Sequence, residues 1–230
     1  MRNLINTLTE ASGLTVIPLA ESLQLAYYED KDDFFIIMHE SFPELSKLTS
    51  EILKDIQFML NSLVVEQKKS EIFQSLQHRN VNQNLSLILF LEYEEDLSQS
   101  FQEINKAEEN YLNAKKYILP YKSTDCEDLK SKIADSSNLI KTLNELAVGH
   151  SNLMEETDQT WYDLLLNLFI KIPFLNYQSQ NGEQSLSNLT EMINSSLDQR
   201  QLELLMLIDN NDISGISDIE AFVSNNNMLL

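Results

Sequence analysis

Few residues in this chain have the type and spacing to do chemistry. The densest acidic group, Glu92, Glu94, Glu95 and Asp96, follows the apolar run that begins at Leu85. Carboxylates at the carboxyl end of a strand in an open sheet stand where divalent metals are held for phosphoryl or nuclease chemistry. The same acids, placed before and within a first helical turn, also cap its free amides and complement its dipole. A metal nuclease needs a positioned base or lysine as well, and no Glu-x-Lys follows. The structural role is the expectation, and no catalytic or metal-binding residue is assigned.

The other candidates are weaker. His39, His78 and His150 are far apart, and Met38-His39-Glu40-Ser41 lacks the second histidine four residues on that a zinc-protease helix requires. Cys126 stands at a helix start, but Asp125, Glu127 and Asp128 beside it oppose a thiolate. Residues 209–220 partly match a calcium loop, with Asp209, Asn211 and Glu220 in ligand positions. Ile213 replaces an oxygen ligand there, and Gly215 falls one place late for the sharp bend. With only four glycines, no phosphate loop, nucleophile elbow or dinucleotide fingerprint can be assembled, so no cofactor is expected.

Composition bounds the rest. Sixteen basic and 36 acidic residues leave a net charge of -20, which repels phosphate backbones. Residues 151–230 carry only Lys171 and Arg200 against 12 acids, so half of the imbalance lies in the last third. A single cysteine excludes an internal disulfide framework and suits a reducing compartment, and the first residues read as neither a signal nor a transit peptide. A cytoplasmic protein that does not enter membranes is expected.

The elements that position these residues read as α+β. A short helix over 3–11 precedes a strand candidate at 14–17. A hairpin then spans 23–38 around the turn Asp30-Lys31-Asp32-Asp33. Ser41-Phe42-Pro43-Glu44 is a capping box, and Leu45, Leu48, Ile52, Ile56, Met59 and Leu63 recur at helical spacing, predicting one long helix over 41–67. The run 84–93 reads as a strand covered on both faces. A helix begins near Asp96 and Gln99 and ends before Tyr117-Ile118-Leu119-Pro120, itself a possible short strand. A further helix runs from the capping box at Thr124 to Gly149, followed by apolar helices over 162–172 and 186–197. The hairpin ahead of the first long helix predicts a mainly antiparallel N-terminal sheet covered by long helices, followed by a mostly helical C-terminal part. Residues 1–122 form the sheet-and-helix domain and 123–230 a helical, strongly acidic region, the two being separate or continuous.

The stretch His78-Arg79-Asn80-Val81-Asn82-Gln83-Asn84 running into Leu85 to Glu92, then an acidic helix start, then Lys116-Tyr117-Ile118-Leu119-Pro120-Tyr121, resembles the small middle components of bacterial ABC-three-component defence systems, which overlap with the systems called Lamassu. The likeness covers residues 34–122. It implies a non-catalytic accessory subunit that binds an SMC-like or Rad50-like ABC ATPase and links it to an effector, often a nuclease, with DNA reached only through the complex. No catalytic residues carry over from such a family. Candidate docking positions are Ile52, Ile56 and Met59 on the first long helix and Trp161, Leu165 and Phe169 near the end, from apolar character alone, together with the basic Arg79 before the strand. Two rival readings stay open on the residues themselves. One is an acidic inhibitory or antitoxin-like protein, and the other is a metal-dependent hydrolase or nuclease using Glu92, Glu94 and Asp96.

Overall fold

The computed structural model describes residues 1–51, 55–94, 97, 100–134, 136–151, 153 and 160–177. They belong to one compact unit, Met1–Tyr177. The expected helix at 186–197 and the partial calcium loop at 209–220 lie outside the described residues.

The core strand is β4 (Leu85–Glu92), the apolar run singled out in the sequence. Leu87, Ile88, Leu89, Phe90 and Leu91 are all fully enclosed, and each such side chain contributes about 1.5–3 kcal/mol by leaving water. Alternation along the strand divides them between two cores. Leu85, Leu87, Leu89 and Leu91 face one helical layer, while Ile88 and Phe90 face another. A strand with two buried faces has no polar alternation to show there, so its centre, residues 87–91, is continuously apolar.

Around it lies a five-stranded sheet in the order β1 (Thr15–Ala20), β2 (Leu23–Tyr27), β3 (Phe34–Ser41), β4 and β5 (Lys115–Tyr121). The first two pairings are antiparallel, joined by tight connections, and Gly13 at φ 77° turns the chain from α1 (Arg2–Ala11) into β1. The pairings β3 with β4 and β4 with β5 are parallel. The fold is α+β as expected, but the sheet is evenly mixed, because the connections after β3 and β4 carry helices long enough to return the chain to the same end.

Those connections supply one layer: α2 (Phe42–Glu51), α3 (Ile56–Gln67), the short α4 (Glu71–Ser75) and α5 (Phe101–Glu109). Leu45, Ile56, Leu60, Val64, Phe73, Ile104 and Ala107 pack from it onto the sheet. The opposite layer is α1, α6 (Ser123–Ile133), α7 (Leu139–Gly149) and α8 (Thr160–Lys171), which bury Ile5, Leu8, Leu129, Leu143, Tyr162, Leu165 and Leu168. The core therefore runs across the boundary expected at 122/123. Among the described residues no helix is long and apolar enough to cross a membrane.

Two expected helices are each divided. The apolar periodicity over 41–67 passes through Asp55, yet Asp55 is extended and its carboxylate accepts the Phe58 amide, which starts α3 afresh. Asn138 does the same for the Lys141 amide and separates α7 from α6. The passage before β4 contains α4, capped by Ser70.

Both edges of the sheet are closed. In β1, Pro18 lacks an N–H and the register shifts between Pro18 and Ala20. At β5, the outward Ile118 amide donates to Glu108 Oε1 at 2.7 Å, and Pro120, two residues on and so on the same side, has no N–H. Lys171 Nζ on α8 reaches both Glu108 oxygens, at 2.5 and 2.6 Å. The resulting Glu108–Lys171 clasp joins α5 of one layer to α8 of the other around the strand.

Candidate interaction surface

The carboxyl ends of the parallel strands were the place for metal chemistry. Glu92 ends β4, and its two oxygens accept from Tyr121 Oη and Ser123 Oγ, each at 2.7 Å. The Ser123 and Tyr121 hydroxyls hold its carboxyl below the usual carboxylate range, and burial, with help from Glu92, raises the Tyr121 phenol. Glu94 is exposed, and Glu95 and Asp96 lie outside the described residues. Among the described residues, no three of His, Cys, Asp or Glu are gathered where they could hold a metal ion. Glu92 thus joins the end of β4 to β5 and to the start of α6.

The histidines take separate positions. His39 stacks on Phe90 across β3 and β4, with centroids 5.0 Å apart, and both ring nitrogens are buried without a hydrogen-bond partner among the described residues. His78 Nδ1 lies 3.1 Å from Ser75 O, and His150 Nδ1 lies 3.1 Å from Leu146 O with its ring edge-on to Trp161. Cys126 is buried on α6.

The expected docking residues are mostly interior. Ile56 and Leu165 are buried, Trp161 is 5% exposed, and Met59 and Phe169 are partly buried against the two cores. Their apolar surface packs within the chain, so helical periodicity here marked the core. Ile52 lies outside the described residues. Arg79 is a clamp: its Nε donates to Asp32 Oδ1 at 3.0 Å, its Nη2 donates to Tyr28 O and Lys31 O, and the guanidinium sits 4.7 Å from the Phe34 ring centroid. With Asn80 bonded to Asp32 Oδ2 at 2.9 Å, it ties the β2–β3 turn to the loop before β4.

Apolar surface is exposed elsewhere. An open groove of about 680 Å³ lies between the outer side of α3 and the loop 110–114, lined by Phe58, Ser62, Val65 and Leu112, with Asp55, Glu66 and Lys69 also bordering it. Tyr111 is 67% exposed and Leu112 63%, which is unusual for large apolar side chains standing side by side.

The loop that presents them is fixed from behind. Lys116, 2% exposed, donates to the carbonyls of Asn110, Leu112 and Ala114 at 2.6, 3.0 and 3.2 Å, and burial pulls its pKa down to about 8. Lys68 on the far side donates to Asn113 O at 2.8 Å, where Asn113 adopts φ 66°, a left-handed conformation that asparagine tolerates. Asn110 Oδ1 accepts the Leu112 amide at 2.9 Å. Sequence reasoning placed Tyr111 on a helix face and missed this loop; Lys116 in an apolar strand beside Asn110 and Asn113 was the available signal. No family model, curated protein or solved structure matches the chain.

Proposed function

We propose that this chain is a non-catalytic adaptor that binds an SMC-like ABC ATPase of an antiphage or antiplasmid defence complex and couples it to an effector subunit. The identity of the partner comes from the resemblance of residues 34–122 to the middle components of such systems. The single observation that carries a binding role is the groove beside the loop 110–114: large apolar side chains exposed on backbone already held in one shape, which lowers the ordering cost of association. The Glu92 carboxylate, with both oxygens accepting from fixed hydroxyls, supports a role without catalysis. Co-expression with an ABC ATPase encoded beside it tests the reading. The two should co-elute in size exclusion, while separate elution, or substrate turnover by the purified chain alone, would refute it.

The concentration of charge favours a second reading, an acidic inhibitor of a basic protein. Residues 151–230 hold 12 acids against two basic residues. Tight binding to a basic nuclease that weakens steeply with salt would favour this reading over the adaptor.

A further inference from the structure

We infer that the groove between α3 and the loop 110–114 receives one amphipathic helix of a partner, apolar on one stripe and basic along its flanks. This rests on the binding role proposed above and adds the chemistry of what is bound. The mode follows from what the fold closes. Among the described residues the sheet offers a partner strand no open edge, since Pro18 and the register shift protect β1 and the Glu108–Lys171 clasp with Pro120 protects β5. Both sheet faces carry helices, so recognition falls to side chains on a helical surface.

The shape of that surface fits a helix. Phe58, Ser62, Val65 and Lys69 recur at four-, three- and four-residue steps and so lie along one side of α3, continuing just past its end. From 58 to 69 the stripe is about 17 Å long, three helical turns. Ser62 near its middle is small, which leaves a trough between Phe58 and Val65, and Leu112 forms the opposite wall. The wall does not have to be ordered by the partner, because Lys116 and Lys68 already hold it through four carbonyl bonds.

Charge selects the flanks. Among the described residues, Asp55 and Glu66 border the groove against Lys69, while the neighbouring Lys68 and Lys116 ammonium groups are engaged with backbone carbonyls. On a chain of net charge -20, an approaching helix with lysine or arginine beside its apolar stripe is attracted and an acidic one repelled.

The test uses the full chain and three labelled synthetic 18-residue peptides followed by fluorescence anisotropy. The first has leucine on one helical stripe and lysine elsewhere, the second has the same composition shuffled to destroy the stripe, and the third replaces lysine with glutamate. The first should bind at least tenfold more tightly than either control, and the double variant Val65→Ser, Leu112→Ser, which leaves the charge unchanged, should weaken it at least tenfold. Leu48→Ser, an exposed apolar site on α2, should leave binding as it was, and circular dichroism should be the same for all three proteins. Equal binding of the shuffled or glutamate peptide, or undiminished binding by the double variant, would overturn the inference. If the ATPase fails to co-elute while the striped peptide binds this groove, the adaptor reading falls and the inference stands. If the ATPase co-elutes equally well with the double variant, the inference falls and the adaptor reading stands.

Discussion

Replacing His39 with leucine is expected to stabilise the protein, and more so at pH 5 than at pH 7. The imidazole lies flat on Phe90, and neither nitrogen has a hydrogen-bond partner among the described residues. Burial foremost, then the positive charges of Arg2 and the chain's α-amino group, holds its pKa down to about 4 from the ordinary 6.5. Between those two values the unfolded chain binds a proton that the native chain refuses. Stability therefore rises with pH across this window and is lost as pH falls through it. The whole shift corresponds to about 3 kcal/mol. With these two pKa values, the part lost between pH 7 and pH 5 is about 2 kcal/mol. Leucine removes this titration, and it also removes polar nitrogens whose unpartnered burial costs about 1–3 kcal/mol. Urea unfolding of both proteins at both pH values measures the effect, since carboxylates that titrate in each cancel in the difference. The gap should favour the leucine variant at pH 7 and widen by about 2 kcal/mol at pH 5. A gap that is the same at both pH values would refute the reasoning, because the native imidazole would then accept its proton as readily as the unfolded one.

Other perturbations test other contacts. Lys171→Met leaves the half-buried Glu108 carboxylate with the Ile118 amide as its one remaining partner among the described residues, and urea unfolding should show a loss of about 1–3 kcal/mol; an unchanged midpoint would mean that the clasp contributes nothing. The Asp32 carboxyl is held low first by the Arg79 hydrogen bond, then by Asn80, so an NMR titration of Arg79→Met should move it up toward the ordinary value. Persistence of the low value would place its cause elsewhere. Cys126 is 2% exposed, so its reaction with a thiol reagent should follow unfolding and accelerate with urea, and rapid labelling of the native protein would contradict the packing of α6.

What could be read from the sequence was what local pattern encodes. The run 84–93 is evident because burial on both faces leaves its centre, residues 87–91, an unbroken apolar string, and the hairpin because a charged turn around Asp32 separates two apolar runs. The parallel return of β4 beside β3 is not evident, since it depends on how a 43-residue connection folds back and not on any residue within either strand. The starts of α3 and α7 were present as Asp55 and Asn138, but continuous apolar spacing masked two short capping signals. Glu92 finds its hydroxyl partners 29 and 31 residues away, and Arg79 reaches Asp32 across 47. Such pairs leave no trace at the spacing a single sequence displays. The lysine cradle under residues 110–114 is local and could have been found from a lysine that follows two nearby asparagines into an apolar strand.

The position of Lys171 also matters while the chain is being made. It follows β5 by about fifty residues, a delay of several seconds at ordinary rates of translation. Through that interval a nascent chain has strands ready to pair but lacks α8, which supplies the ammonium of the clasp and much of the apolar cover on that side. The molecule is therefore most exposed to its own neighbours on a polysome, and chaperone demand should peak just before the last described helix leaves the ribosome.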